Sequence, residues 1–124
     1  MFSHIRTSKE NKEVVTKLTN KLNLGAENVI ARIALAYSIA QDEKLELKNL
    51  KDSGGKEYSK SVLFGDNYDL YIGLICKHYN IHPSDRDLAK FFKLHLDHGL
   101  LLLSNDEFEK LDGFEFVKQL TFES

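Results

Sequence analysis

The 124-residue chain is 42% apolar and 29% charged with a formal charge of −2, the balance of one soluble globular domain and a poor overall match to a nucleic-acid binder. A single cysteine, Cys76, excludes an internal disulfide framework and makes a reducing, cytoplasmic setting the default. No apolar run approaches the ~18 residues of a membrane span, the first residues lack the apolar core of a signal peptide, and one proline with seven glycines argues against long disordered linkers.

Residues 2–7 alternate, with Phe2, His4 and Arg6 on one side and Ser3, Ile5 and Thr7 on the other. So short and polar a strand needs a partner, and the same segment of a second chain would supply one. Thr7 or Ser8 can cap the helix that follows, Thr7-x-x-Glu10 having the form of a capping box. Val14, Leu18 and Leu22, with Val15 beside them, form an apolar stripe, and Lys9, Lys12, Glu13, Lys17 and Lys21 fill the other faces. Gly25 is placed to end this helix. A second helix is predicted from Ala26 to Ala40, with Val29, Ile30, Ile33, Ala34, Tyr37 and Ala40 as a wide apolar face. Arg32, its one basic residue, is expected to pair with a carboxylate at an interface. This strand-helix-helix order over residues 1–41 is the outline of a ribbon-helix-helix unit, which is built as a dimer.

Residues 42–66 read as an irregular connection. Leu45, Leu47 and Leu50 can tuck under a loop, Asp52-Ser53-Gly54-Gly55 signals a turn, and Tyr58, Val62 and Phe64 suggest an extended piece ending at Gly65-Asp66. A helical pair is expected over residues 67–103: one helix with Tyr68, Tyr71, Ile72, Ile75 and Tyr79 on a stripe, then one begun by Ser84 and Asp87, carrying Leu88, Phe91, Phe92, His95 and Leu96, and closed by Gly99. Residues 104–124 form an acidic, Phe-containing tail, with a capping box at Ser104–Glu107 and extended chain around Phe114, Phe116 and Phe122.

Charge is uneven. Residues 1–41 hold six basic side chains (Arg6, Lys9, Lys12, Lys17, Lys21 and Arg32) against three acidic ones, and the rest of the chain holds eleven against sixteen. A basic N-terminal part on an acidic body is what a local phosphate-binding face would look like, set against the reading that sparse charges only solvate helix faces. Arg6 and the lysines of the first helix are the candidate DNA contacts. With only His4 and Arg6 pointing outward from the strand, backbone recognition is favoured over base reading. Metal binding by Cys76, His78, His82, His95, Asp97 and His98 is the weaker reading, because neither Cys76-x-His78 nor His95-x-x-His98 is an established zinc spacing. His95 continues an apolar stripe, and His98 sits near a helix C-terminus, where a cation is favourable. Cys76 lies within an amphipathic helix, where packing is the ordinary role. The chain carries no GxGxxG, P-loop or GxSxG motif, so no catalytic residue, metal site or cofactor is assigned.

Four segments, in order, resemble the DNA sulfur modification protein DndE family. They are Phe2-Ser3-His4-Ile5-Arg6-Thr7-Ser8; Asn28 to Ser38 (NVIARIALAYS); Leu63 to Tyr71 (LFGDNYDLY); and Leu94-His95-Leu96-Asp97-His98-Gly99. The resemblance spans about residues 2–103. It implies a small, non-enzymatic, tetrameric subunit of DNA phosphorothioation that binds nicked double-stranded DNA through surface lysines and works beside other phosphorothioation subunits. Two stretches depart from the family pattern: Lys21 to Glu27, less basic than the family's inter-helix turn, and the tail from Ser104, with six carboxylates against two lysines. The expectation is thus a mostly α fold in a single domain, residues 1–124: a short N-terminal β-strand, a ribbon-helix-helix-like helix pair and two or three further helices, oligomeric. Its expected role is that of a DNA-binding or scaffolding subunit. The alternatives are a ribbon-helix-helix repressor and a protein–protein adaptor with no direct DNA contact.

Overall fold

The computed structural model describes residues 2–23 and 25–104. The expectations for the tail beyond Ser104 lie outside the described residues. The elements are β1 (His4–Arg6), α1 (Lys9–Leu22), α2 (Glu27–Ala40), a 3-10 turn (Leu47–Asn49), β2 (Glu57–Ser59), the one-turn α3 (Lys60–Phe64), a 3-10 turn (Gly65–Asn67), α4 (Tyr68–Tyr79) and α5 (Leu88–Leu103).

The alternation at the N-terminus does produce a strand, with Ile5 buried between exposed His4 and Arg6. Its partner is in the same chain. β1 runs antiparallel to β2, pairing His4 with Ser59, Ile5 with Tyr58 and Arg6 with Glu57. The strand thus has an internal partner, in a hairpin-like pair closed over some fifty residues, and does not need a second copy to supply one. The segment read as irregular connection supplies that pair, and its extended piece is shorter than expected. The strand stops at Ser59, whose hydroxyl caps α3 by accepting from the Val62 N–H.

Ser8, not Thr7, caps α1: its side chain accepts from the Asn11 N–H, while the Thr7 hydroxyl accepts from the Lys56 N–H at 2.9 Å. The helix ends at Asn23, in the left-handed conformation (φ 53°), two residues before the expected Gly25. Asn tolerates that conformation through local side-chain hydrogen bonding. In α2 the buried face is Ile30, Ala31, Ile33, Ala34, Leu35 and Ser38. Val29 and Ala40, assigned to that face by periodicity, are exposed.

The core is centred on α2 packed along α5. Ile30 and Leu35 of α2 share one buried cluster with Phe92, Leu96, Leu100 and Leu103 of α5, Val15, Leu18 and Leu22 of α1 and Ile75 of α4. Each fully buried aliphatic or aromatic side chain contributes about 1.5–3 kcal/mol. Gly99 does not close α5; it lies inside the helix, where a Cβ would collide with the Ala34 carbonyl. The missing side chain sets how closely α2 and α5 approach, and α5 runs one further turn to Leu103. Below this contact an aromatic cluster joins the N-terminus to α3, α4 and α5, Phe64 lying 4.9 Å from Phe92 and 5.2 Å from Tyr68, with Phe2 5.8 Å from Phe92. No helix among the described residues is long and apolar enough to cross a membrane.

Candidate nucleic-acid interface

Spacing of three and four residues puts Lys9, Lys12, Glu13, Thr16, Lys17, Asn20 and Lys21 on the outer side of α1, and all are exposed. Lys9, Lys12 and Lys17, with Glu13 and Thr16, line one shallow depression together with Gly54. That depression is built by two independent anchors on the start of α1.

The outer anchor is the turn around Asp52. Its carboxylate accepts from the N–H of Lys9 and from the N–H of Gly54, each at 2.9 Å. Those two donors, that of Lys9 first, hold the Asp52 carboxyl below its usual range. Gly55 donates to the Thr7 carbonyl at 3.0 Å, and a Cβ there would strike Ser8 and Thr7, so the turn lies directly on the backbone that enters α1.

The inner anchor is buried. Asp97 Oδ1 accepts from the Ser8 N–H at 3.0 Å and from Asn11 Nδ2 at 2.8 Å; its Oδ2 meets Lys93 Nζ at 3.0 Å. The same ammonium donates to the Arg6 carbonyl at 2.7 Å. A buried ion pair is tolerated only when its remaining donors and acceptors are satisfied, and here the backbone of Arg6 and Ser8 supplies two of them. The pair thereby fixes the point from which the lysine-bearing helix departs.

Arg6 is not part of the depression. It stands opposite Glu57 in the sheet and forms an ion pair with it at 3.2 Å, both side chains about half exposed. An exposed pair of this kind contributes only about 0–1 kcal/mol, so a phosphate could compete for Arg6. Lys21 projects from the last turn of α1, about 18 Å along the axis from Lys9 at 1.5 Å per residue, and does not line the depression. Among the first N–H groups of α1, those of Lys9, Asn11 and Lys12 are bonded within the chain, to Asp52, the Ser8 hydroxyl and the Ser8 carbonyl. An anion here would meet ammonium groups rather than helix-terminal amides. Such contacts are to phosphate and carry no base information.

Arg32 donates to the Val62 carbonyl from Nε at 3.0 Å and from its terminal nitrogen at 2.7 Å. The expected carboxylate partner is thus replaced by a backbone oxygen in the last turn of α3, which has no helical donor of its own. His78, His95 and His98 form a separate polar cluster. Buried His95 lies between the Tyr79 hydroxyl at 2.7 Å and the Ser38 hydroxyl at 2.9 Å, and Ser38 also reaches His98 at 3.0 Å. Burial first, then repulsion from His78 and His98, lowers the His95 imidazole to about 4. His98, five residues before the end of α5, faces Glu43 at 3.5 Å instead of the helix terminus. No three His, Cys, Asp or Glu among the described residues are grouped to hold a metal. Burial pushes the Cys76 thiol up, away from the thiolate form that a nucleophile needs.

The sequence marked Asp52 and Gly54 only as a turn and Asp97 only as a weak metal candidate, and it did not point to Asn11 or Lys93. Lys93 and Asp97 were detectable as an (i, i+4) pair of opposite charges in an otherwise apolar stretch; their link to residues 6–11 was not.

The family model for DNA sulphur modification protein DndE matches residues 4–110. The chain belongs to the DndE family. Membership implies a part in DNA sulphur modification. Among solved structures, the fold is similar to that of DndE from Escherichia coli B7A, a protein described as involved in DNA phosphorothioation modification. The TM-score is 0.66 at 16% identity, over 83% of this chain and 98% of that one. No curated protein matches the chain in sequence. The DndE fold here is a helical body closed by a two-stranded antiparallel sheet, with its first helix carrying the lysines outward.

Proposed function

We propose that this DndE-family chain is a non-catalytic subunit of the DNA phosphorothioation machinery that holds duplex DNA, nicked or intact, by its phosphate backbone. It works as a homo-oligomer, a tetramer, beside the other phosphorothioation subunits. The observation that carries this reading is the gathering of Lys9, Lys12 and Lys17 in one depression on α1, anchored from both sides. The ammonium groups are sequence-blind point charges, suited to a subunit that steadies DNA while others act on it. Lys21 extends the same face, and Arg6 joins when phosphate displaces Glu57. Glu13 within the face holds the affinity of one copy down, which is why several copies are needed on one duplex. A ribbon-helix-helix repressor is not favoured, since β1 is paired with β2 of its own chain.

The test is a binding titration against intact, nicked and single-stranded DNA at two salt concentrations. If the three lysines engage phosphates, the log–log salt slope is steeper by about 0.9 for each. Replacing all three by glutamate should lower affinity more than tenfold (about 1.4 kcal/mol per factor of ten) and flatten that slope, with the melting temperature unchanged. Unaltered binding by the folded triple variant overturns the assignment and leaves the adaptor reading.

A further inference from the structure

We infer that the outer face of α4 is a two-fold contact between copies of this chain, with two α4 helices crossing antiparallel at Gly73. The inference deepens the oligomeric part of the reading above and rests on it.

Four large apolar side chains are exposed among the described residues, and two of them, Leu70 (60% exposed) and Leu74 (44%), lie one turn apart on α4. Asp69, Gly73 and Lys77 share their side by helical spacing and are exposed as well. Beside Leu74 and Lys77 a groove is lined by Ile39, Asp42 and His78. The opposite side of α4 is the one that packs inward, through Ile75 and the half-buried Tyr68, Tyr71, Ile72 and Tyr79. Packing within the chain therefore accounts for one side of the helix only.

Gly73 has no internal purpose. Glycine is a poor residue for a helix interior, its φ is ordinary, and a Cβ at this position would meet nothing within 4 Å. On a face approached by a second backbone, the missing Cβ lets two helices come close, the role Gly99 has inside the molecule.

Charge decides which partner fits. The face is acidic at its N-terminal end (Asp69), apolar in the middle and basic at its C-terminal end (Lys77). Neither Asp69 nor Lys77 is ion-paired with another described residue. Asp69 and Lys77 each lie four residues from Gly73. An antiparallel pair centred on Gly73 therefore sets each Asp69 opposite the partner copy's lysine, while Leu70 and Leu74 of the two copies cover one another. A parallel pair would set like charges together. A surface complementary to itself under a two-fold rotation is what an isologous contact requires. Preference for acids early and bases late in a helix explains neither the exposed leucines nor the glycine. A 12-residue helix is only about 18 Å long, so the contact falls below the standard size of about 800 Å² per partner, and association is concentration-dependent.

Sedimentation of the full chain over a range of concentrations tests this. Leu74→Glu should weaken self-association about tenfold or more. Gly73→Gln should weaken it while leaving the melting temperature unchanged or higher, which separates contact from fold. Asp69→Lys and Lys77→Asp should each weaken it alone, and an equimolar mixture of the two should recover it, because each then meets its opposite. Assembly indifferent to Leu74→Glu, or a mixture no better than its components, overturns the inference and leaves the oligomeric reading standing. A chain that sediments as one copy at every concentration overturns both. Release of a different co-purified protein by Leu74→Glu, with self-association intact, also overturns it. The DNA titration of the α1 variants judges the phosphate reading independently of these results.

Discussion

Asp97 meets three donors with one carboxylate: the Ser8 N–H, the Asn11 amide and the Lys93 ammonium. Asp97→Ala would leave a buried lysine without its counter-charge and the Ser8 N–H unmet, Asn11 keeping only the carbonyl of residue 97, at a cost of about 3–5 kcal/mol, read as a shift of the urea midpoint. Lys93→Met should cost less, because the carboxylate keeps its two other donors. His95 gives a prediction with a sign. In the folded chain it stays neutral down to about pH 4, whereas unfolded histidine takes up a proton near 6.5. As pH falls through that window the unfolded state binds a proton that the folded state refuses, so stability drops; above the window this contribution is constant. The difference is on the order of 3 kcal/mol across the full window. Urea unfolding of the wild type and His95→Phe between about pH 7 and pH 4.5 should show a steeper decline for the wild type. Parallel curves would refute the assignment. The burial of His95 was legible from its place on an apolar stripe, but the partners of His95, Lys93 and Asp97 were not, because polar residues in one helix look the same whether they face water or each other.

At the scale of elements, periodicity found α1, α2, α4 and α5, read the short α3 as extended chain, and misplaced the C-terminal ends of α1 and α5. The expected and observed bounds of α2 differ by one residue, and α4 by one, since long apolar stripes specify a helix without help from elsewhere. The stop signals failed where tertiary contact overrode them. Gly99 was taken for a terminus, yet it lies directly against the Ala34 backbone of α2. Gly99→Ala should therefore destabilise the chain by at least the upper end of the ~1–3 kcal/mol typical of overpacking, measured by thermal unfolding, although the same change is favourable in an isolated helix. The strand β1 was recognised from the alternation of residues 2–7, but its partner was not. Only closure of the intervening chain brings Glu57–Ser59 alongside it, and no local pattern encodes that.

For the whole molecule, the uneven charge was legible from residue counts, whereas its geometry was not. Of the five cations proposed for DNA, three come together, Lys21 lies along the same helix, and Arg6 is set apart on the sheet. Lys9→Glu, Lys12→Glu and Lys17→Glu should each weaken DNA binding, and Arg6→Ala should do so less, since Glu57 already screens it. Equal losses at all five positions in a fixed-salt titration would argue for a diffuse field rather than a face.

The anchoring of the first helix has a consequence for biosynthesis. Its entry residues are held by Asp52, Lys93 and Asp97, partners that the ribosome delivers roughly 45 to 90 positions later. A growing polypeptide thus exposes its lysines before it can orient them, and long-range closure of this kind is slow. The cationic surface matures last, once the fifth helix has emerged, so truncation anywhere before Asp97 should yield a chain that keeps the positive charge and lacks the arrangement.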